Sequence, residues 1–121
     1  MHTSKVFRGF LAAGGMLALL MAFQNRAYSQ LAGSGAITGS VTDPTGAVVP
    51  AADVTIRNAD TGVERKIGTT DAGVYTAAFL PPGHYEVEVG KKGFATVLHK
   101  DLTLRVGQTL TVDVALSVQA A

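Results

Sequence analysis

The sequence predicts an all-β protein, a seven-stranded antiparallel β-sandwich, from three observations. Short segments in which apolar and polar residues alternate recur along residues 36–118, and this period of two is that of strands with one buried face. Turn-forming residues separate the segments at intervals of about 8 to 15 residues. After residue 29, no segment has the 3.6-residue period of an amphipathic helix.

Residues 1–29 are predicted to form a helical signal peptide that is removed on export. A basic start, an apolar run over residues 9–23 and a polar end follow one another in the order typical of such signals. Ala27 and Ser29 are small, as signal peptidase requires, so we predict cleavage after Ser29. The apolar run is shorter than the ~20 residues needed to span a bilayer, so no retained transmembrane segment is expected.

Without the signal peptide, the chain is a small acidic domain that lacks cysteine. Residues 1–29 hold three of the ten basic residues and none of the nine acidic ones, so residues 30–121 carry a formal charge of −2. This composition argues against nucleic acid as a partner. The absence of cysteine excludes disulfides, thiolate metal sites and cysteine nucleophiles. We expect a flexible lead-in over residues 30–35, one domain over residues 36–118 and a tail over residues 119–121.

The first two predicted strands are residues 36–42 and 52–58, in which alternate residues are apolar. Between them, Asp43, Pro44 and Gly46 occupy the first, second and fourth positions of the sequence Asp-Pro-Thr-Gly. A type I turn prefers these residues at those positions. The residues assigned to the core face are Ile37, Gly39, Val41, Val54 and Ile56.

The third strand, residues 63–69, carries adjacent charges and is predicted at a sheet edge, where charged side chains discourage pairing with another molecule. Asp71 and Gly73 then form a turn that leads into the fourth strand, residues 74–79. The alternating pattern of this strand predicts three residues on the core face. They are Tyr75, Ala77 and Phe79.

Pro81 and Pro82 are predicted to end the fourth strand, because they lack amide donors and have a fixed φ. Gly83 permits the reversal that starts the fifth strand, residues 84–89. In that strand Tyr85, Val87 and Val89 are predicted to face the core. The intervening residues His84, Glu86 and Glu88 are predicted to face solvent.

The last two strands are predicted at residues 101–106 and 109–118. Before them, Gly93 closes an exposed turn that begins at Lys91, and Phe94 returns the chain to the core. Their inward side chains add to the buried apolar area that a domain without disulfides needs in order to fold. The core-facing residues of these two strands are Leu102, Leu104, Val106, Leu110, Val112, Val114 and Leu116.

Three motifs together resemble the carboxypeptidase regulatory-like domain. They are Gly-x-Val-x-Asp-x-x-Gly, Thr-Asp-x-Gly-x-Tyr and Leu-Pro-Pro-Gly-x-Tyr, in that order along the chain. The resemblance covers about residues 35–117 and implies a transthyretin-like Greek-key sandwich. It also implies an accessory, non-enzymatic module with no zinc site of its own. The motif residues are Gly39, Val41, Asp43, Gly46, Thr70, Asp71, Gly73, Tyr75, Leu80, Pro81, Pro82, Gly83 and Tyr85.

The residue pattern predicts no catalytic, cofactor or metal site. His84, Glu86 and Glu88 share one strand face and were weighed as metal ligands. Polar residues at alternate positions are the default for a solvated strand face, and that is the interpretation we adopt. Asp43 and Asp71 are likewise interpreted as turn residues and not as general acids or bases.

The resemblance further implies a role in the bacterial cell envelope. A signal peptide followed by this module is similar to the N-terminal extension of certain TonB-dependent outer-membrane receptors. We therefore expect an exported protein, in the periplasm, at the outer membrane or secreted, whose partner is an envelope or outer-membrane protein. The chain is expected to be a stand-alone module or the leading part of a longer receptor-like protein.

A glycan is the alternative ligand, because related domains are grouped with starch-binding folds. Sugar-binding surfaces usually expose aromatic side chains, and this chain has no Trp. Its aromatic residues in strands four and five, Tyr75, Phe79 and Tyr85, are all assigned to the core by their period. The sequence therefore favours protein interaction over carbohydrate binding.

Overall fold

The computed structural model describes residues 33–119, which form a β-sandwich of eight strands. The all-β prediction is confirmed, and residues 33–119 contain no helix capable of spanning a membrane. The predicted signal peptide, residues 1–29, lies outside the described residues. The strands are β1 Gly35–Thr42, β2 Asp53–Asn58, β3 Glu64–Gly68, β4 Val74–Leu80, β5 Gly83–Gly90, β6 Val97–Leu104, β7 Thr109–Thr111 and β8 Val114–Ala115.

Two sheets share these strands. In the first sheet β1 is central, with β4 antiparallel on one side and β7 and β8 parallel on the other. The second sheet is antiparallel in the order β3-β2-β5-β6. The chain changes sheet after β1, β3, β4 and β6. Since β3 is an outer strand, the prediction of an edge at residues 63–69 is confirmed.

The core lies between the two sheets and consists of aliphatic side chains around two tyrosines. Strands β1 and β5 bury every second residue, as their alternating sequences predict. Burial of this apolar surface is the main stabilising contribution in a domain without disulfides. The buried apolar residues are Ile37, Val41, Val49, Ala52, Val54, Ile56, Tyr75, Ala77, Leu80, Tyr85, Val87, Val89, Leu104, Val112, Val114 and Leu116.

The last predicted strand is divided into β7 and β8, and the interruption occurs at Val112. Its carbonyl oxygen accepts a hydrogen bond of 2.5 Å from the Tyr75 hydroxyl. In a regular parallel ladder that oxygen would accept the Ser40 amide, which instead donates to the Asp113 carboxylate at 2.9 Å. A Cβ on Gly39 would lie 1.8 Å from the Val112 oxygen, so only glycine permits this approach. The strand also runs parallel to β1, which differs from the antiparallel prediction because alternation records the buried face and not the neighbour's direction.

Strand β4 contains a bulge that reverses its alternation. Gly35 of β1 pairs with Leu80, whereas Ile37, two residues later, pairs with Ala77, three residues earlier in β4. One extra residue therefore lies in β4, and Phe79 adopts a φ of 58° there. The Phe79 side chain is 69% exposed, so its predicted position in the core is wrong. The extra residue places Leu80 in the core instead.

Strand β6 begins and ends earlier than predicted. It spans Val97–Leu104, with a register shift opposite Tyr85–Val87 and a φ of 59° at Asp101. Val106 falls in the turn that follows, where the Gln108 amide donates to the Arg105 carbonyl at 3.1 Å. Its side chain is 70% exposed, so its assignment to the core is also wrong.

Candidate interaction surface

Asp43, predicted as a turn residue, holds the turn between β1 and β2. Its Oδ1 accepts hydrogen bonds from the Thr45 amide at 2.9 Å, the Thr45 hydroxyl at 2.7 Å and the Ala47 amide at 3.0 Å. The hydrogen bond from the Thr45 hydroxyl is the largest cause that lowers the pKa of Asp43. The Gly46 amide closes the turn on the Asp43 carbonyl at 3.0 Å, with Pro44 between them. The Asp43 carboxylate therefore stabilises this turn.

The turn before β4 depends on Gly73. This residue has a φ of 72°, and its amide donates to the Thr70 carbonyl at 2.8 Å. A Cβ at Gly73 would lie 2.7 Å from the Cβ of Val48, so both backbone conformation and space favour glycine. Asp71 is exposed at the tip of this turn.

The Leu-Pro-Pro-Gly-His-Tyr segment forms a corner between β4 and β5. The Tyr85 ring is buried, and its hydroxyl donates to the Pro81 carbonyl at 2.5 Å. Pro82 is exposed, and Gly83 begins β5. A tyrosine hydroxyl bonded to a carbonyl a few residues upstream also stabilises corners in other β-sandwiches. The segment therefore has a structural role that joins the two sheets.

A second glycine turn lies at the opposite end of the sandwich. Gly93 has a φ of 90°, and the Phe94 amide donates to the Lys91 carbonyl at 3.0 Å. Phe94 is partly buried and packs against the core. Its backbone forms an isolated antiparallel bridge with Val118, which attaches the chain terminus to this turn.

The three candidate metal ligands on β5 belong to two separate clusters. His84 bonds to Asp60, with 3.1 Å between its Nδ1 and the Asp60 Oδ2. Hydrogen bonds from the His84 backbone and ring lower the pKa of Asp60. Glu86 and Glu88 instead lie 3.3 Å and 3.9 Å from the Arg57 guanidinium. Within residues 33–119, no three His, Cys, Asp or Glu side chains are grouped closely enough to hold a metal ion.

Arg57 connects strands β3, β2 and β5 on the outer face of the second sheet. Its guanidinium lies 2.8 Å from Glu64 on β3, in addition to its two partners on β5. The hydrogen bond that Arg57 donates to Glu64 is the largest cause that raises the pKa of Arg57. The cluster is a cross-strand charge network, which favours the observed register.

Three of the seven exposed large apolar residues in the described part of the chain lie at one end of the sandwich. The backbone amide of Ala59 donates to the His84 carbonyl at 2.8 Å, so the β2–β3 turn lies beside the β4–β5 turn. Gly83 pairs with Leu104, which places the β6–β7 turn at the same end. We call this region the apolar end. Its larger exposed apolar residues are Val63, Phe79, Pro81, Pro82 and Val106, and the polar residues Asp60, His84 and Arg105 are exposed there as well.

Phe79 is the most unusual residue of the apolar end. A bulky side chain at a positive φ is a conformational outlier that costs about 1 kcal/mol relative to glycine. The cost is not offset by burial, since the ring is 69% exposed. The adjacent carbonyl, that of Ala78, accepts a hydrogen bond from Arg65 Nη1 on β3. Phe79 is thus held at the surface by its backbone and by the neighbouring edge strand.

A shallow depression lies beside this edge strand, on the β2–β3 pair. It is open to solvent, has a volume of about 430 Å³ and includes Asp53, Thr55, Lys66 and Gly68 in its lining. Its small polar and charged lining differs from the enclosed, mostly apolar pockets that bind small molecules. The depression is therefore a feature of the sheet surface and not a substrate pocket.

The sequence placed Phe79 and Val106, two residues of the apolar end, in the core. Assigning alternate residues to the core face fails beyond a bulge, because one inserted residue reverses the face of every later residue in the strand. Phe79 directly precedes the Leu-Pro-Pro corner, where strands end, and that position was the one available signal. The position of Arg65 against Ala78 involves two sheets, so no local pattern predicts it.

The family comparison matches nearly all of the described sandwich. Residues 36–117 match the family model described as carboxypeptidase regulatory-like domain. The match runs from the second residue of β1 to beyond β8. The comparison with curated protein sequences gave no significant match.

Solved structures with a similar fold belong to proteins of different kinds. The TIE protein of Bacillus anthracis has a TM-score of 0.61 at 18% identity, over 71% of this chain and 17% of that protein. A variant of catechol 1,2-dioxygenase from Acinetobacter radioresistens has a TM-score of 0.59 at 15% identity, over 76% of this chain and 54% of that enzyme. A protein from Bacteroides uniformis described as a candidate carbohydrate-binding protein has a TM-score of 0.54 at 21% identity, over 68% of this chain and 40% of that protein.

These structural similarities extend to the fold alone. All three identities are below 25%, and the chain spans between 17% and 54% of the length of the proteins compared. The same sandwich thus occurs in a dioxygenase and in a protein described as binding carbohydrate. Function on a shared fold is determined by the residues of the site and not by the fold itself.

Proposed function

The chain belongs to the carboxypeptidase regulatory-like domain family, and from this premise we propose that it is a non-enzymatic interaction module of the bacterial cell envelope. It binds an envelope or outer-membrane protein through the apolar end. The chain acts as a stand-alone module or as the leading part of a protein similar to a TonB-dependent receptor. The proposal rests on the exposed apolar side chains of Val63, Phe79 and Val106 at one end of the sandwich.

The exposure of these side chains supports a binding role. Val63, Phe79 and Val106 are 68%, 69% and 70% exposed. Val63 and Val106 lie in turns and Phe79 lies near the end of β4, and the sheet registers bring all three to the same end. Turns at one end of a β-sandwich are a frequent location for recognition. Phe79 adds a backbone conformation that costs stability, and such outliers are concentrated at functional sites. A partner that covers the ring would recover the apolar burial that the isolated domain forgoes.

The contacts of the charged residues support a non-enzymatic role. Asp43 holds a turn, Asp60 bonds His84, Asp113 bonds Ser40 and Arg57 joins the glutamates of two strands. Each group is engaged in a contact that explains its position in the fold. A general acid or base instead needs a group directed at the substrate from a site that excludes water.

Residues 1–29 support export as part of this proposal. Their basic, apolar and small-residue order is that of a secretory signal, so the mature protein begins at Gln30 and functions outside the cytoplasm. N-terminal sequencing of the protein purified from the envelope fraction of an expressing bacterium tests this step. Gln30 as the first residue supports export, whereas a retained Met1 in the cytoplasmic fraction contradicts it.

Carbohydrate binding is the second candidate, and the exposed ring of Phe79 favours it. An aromatic side chain on the surface is what a sugar platform needs, and the sequence alone had placed this one in the core. The similar structure from Bacteroides uniformis, described as a candidate carbohydrate-binding protein, shares the fold at 21% identity. Protein binding is preferred because Val63 and Val106, which are exposed at the same end, are aliphatic and suit an apolar protein surface better than a sugar.

A binding experiment distinguishes the two candidates. The full chain with a C-terminal tag is expressed for export and used as bait on envelope extract, and the same protein is applied to a glycan array. Phe79→Asn removes the aromatic ring at the apolar end. Val118→Asn is the matched control, because Val118 is 68% exposed at the opposite end of the sandwich.

We expect the unchanged protein and Val118→Asn to enrich the same envelope protein, and Phe79→Asn to lose at least tenfold of that enrichment. A blank glycan array accompanies this result. A saturable glycan signal that Phe79→Asn abolishes, without protein enrichment, would replace the proposal with the carbohydrate candidate. Equal behaviour of the two variants in both assays would refute the apolar end as the binding site.

A further inference from the structure

Edge strand β3 differs from the other edges of the sandwich. The bulge at Phe79 interrupts β4, a register shift near Asp101 interrupts β6, and the edge formed by β7 and β8 is divided at Val112. In contrast, β3 pairs with β2 in unbroken register from Glu64 to Gly68. Bulges and interruptions are among the devices that prevent an edge from pairing with another molecule. Strand β3 has none of them.

The outer edge of β3 presents a regular row of backbone groups. On its inner side, the Asn58 amide donates to the Val63 carbonyl at 2.8 Å, and the Thr69 amide donates to the Ala52 carbonyl at 3.1 Å. Because bonded pairs alternate in an antiparallel ladder, the residues that direct their N–H and C=O groups outward are Glu64, Lys66 and Gly68. No strand among residues 33–119 pairs with this side.

The charges that would protect this edge are engaged elsewhere or are complementary. Glu64 lies 2.8 Å from Arg57, and Arg65 turns across to the Ala78 carbonyl of the other sheet. Lys66 forms no ion pair with any residue among 33–119. Gly68 has no side chain. The outer edge therefore carries one acid, Glu64, and one base, Lys66, two residues apart.

We propose that β3 pairs antiparallel with β3 of a second copy of this chain, about a two-fold axis at Arg65. In this register Glu64 lies opposite Lys66 of the partner subunit, and Lys66 lies opposite Glu64 of the partner subunit. Both residues direct their backbone groups outward, so each pair is a hydrogen-bonded pair of the ladder. Opposite charges placed directly across antiparallel strands stabilise the pairing.

Charge selects this register over its neighbours. A shift that places Lys66 on the axis brings two lysines opposite each other, and a shift that places Glu64 on the axis brings two glutamates together. Only the axis at Arg65 pairs unlike charges twice. The interface is then closed and self-complementary, as expected for a two-fold dimer. It joins the β3-β2-β5-β6 sheets of the two copies into one sheet of eight strands.

The other face of the new strand pair is also compatible with dimerisation. Val63, which is 68% exposed, lies opposite Ile67 of the partner subunit, so the pairing covers apolar surface. The two Arg65 residues at the axis carry like charges. Their repulsion is reduced because each guanidinium is held against its own Ala78 carbonyl, away from the edge. The antiparallel arrangement directs Phe79 and Val106 of the two copies away from each other, whereas Val63 of the apolar end becomes part of the dimer interface.

Charge reversal with sedimentation analysis tests this dimer in the full chain. We expect the unchanged protein to pass from monomer to dimer with rising concentration. Glu64→Lys and Lys66→Glu should each raise the midpoint of dimerisation at least tenfold, because each places like charges across the axis. An equimolar mixture of the two variants should dimerise again, since every cross-strand pair then unites a lysine with a glutamate.

A cross-link tests the position of the axis. The chain contains no cysteine, so Arg65→Cys introduces a single thiol, and paired residues on the axis lie about 4.5 Å apart between Cα atoms, within reach of a disulfide. Val63→Cys is the control, because Val63 faces Ile67 of the partner subunit and not its own copy. We expect oxidised Arg65→Cys to form a covalent dimer and Val63→Cys to form none.

Two outcomes would overturn the proposal. One is a protein that stays monomeric up to millimolar concentration with Arg65→Cys uncross-linked, in which case the edge serves a strand from a different protein. The other is a dimer that neither charge reversal weakens. Circular dichroism of each variant verifies that the fold is retained, and the mixture of the two charge-reversed proteins provides the positive control.

Discussion

Strand β4 carries an aromatic residue near each end, and the fold uses the two in opposite ways. Tyr75 is 1% exposed and donates its hydroxyl to the Val112 carbonyl, whereas Phe79 is 69% exposed with its backbone in the left-handed region. The two are four residues apart and would share a face in a regular strand. The bulge between Ala77 and Leu80 separates them.

The Tyr75 end of β4 is determined by packing, whereas the Phe79 end leaves a ring exposed that a partner could contact. At the Tyr75 end, Gly39, Val112 and Asp113 fit together so closely that each position admits little change. At the Phe79 end, the exposed ring is not packed against the core. The first end should respond to substitution through stability, and the second through binding.

The largest expected effect breaks the buried end. Gly39→Ala places a Cβ 1.8 Å from the Val112 oxygen, so the strand pair must separate and the free energy of unfolding should fall by about 3 kcal/mol or more. Urea denaturation measures it. Gly68→Ala is the matched control, because a Cβ there meets only the Ala52 oxygen at 3.8 Å. Equal stabilities of the two variants would show that β1 and the Val112 segment are not in close contact.

The next effect concerns the hydroxyl of Tyr75. Burial is the larger cause that raises its pKa to about 12 from the ordinary 10.0, and the charge of Asp113 adds to it. Since the folded pKa is the higher one, this contribution to stability is complete below pH 10 and is lost as the pH rises through about 12. Tyr75→Phe should cost about 1 to 2 kcal/mol at neutral pH through the lost hydrogen bond.

The pH dependence sharpens this prediction. Between pH 10 and 12 the unchanged protein should lose up to about 1.4 kcal/mol per pH unit more than Tyr75→Phe, so its advantage at neutral pH disappears and then reverses. Urea denaturation of both proteins at pH 8, 10 and 11.5, values chosen on the basis of the reference tyrosine pKa of about 10, measures the difference. A constant difference across this range would place the hydroxyl in solvent.

The smallest effect is expected at the exposed end, with the opposite sign. Phe79→Asn should raise the free energy of unfolding by about 0.5 kcal/mol, because asparagine adopts the left-handed conformation more readily than phenylalanine. Phe79→Ala is the control, since it removes the ring without relieving the backbone. Thermal unfolding of the three proteins measures the order of stability. A marked loss of stability in Phe79→Asn would place the ring in the core after all.

Most of the sandwich could be predicted from local patterns. Alternation placed Tyr75, Tyr85 and the aliphatic residues of β1, β2 and β5 in the core, because a half-buried strand imposes a period of two on its own sequence. Charge in the third strand identified an edge, because exposed edges are protected by charged side chains. The three motifs identified the family, to which residues 36–117 belong.

The candidate site was the part that local patterns placed incorrectly. Phe79 and Val106 have the composition of core residues, and their exposure results from a bulge and from an early strand end. A bulge is defined by the pairing of two strands, here β1 and β4, which are far apart in sequence. The sequence of β4 alone therefore contains no mark of it.

The sequence by itself thus determined the fold class, the edge at β3 and most of the core, since these follow from residue type and period. The tertiary structure alone decided the parallel direction of β7 and β8, the exposure of Phe79 and the diversion of Arg65 to the Ala78 carbonyl. Each of these depends on which strand lies beside which. Strand neighbours are set by contacts over long sequence separations, and such contacts leave no periodic signal in either segment.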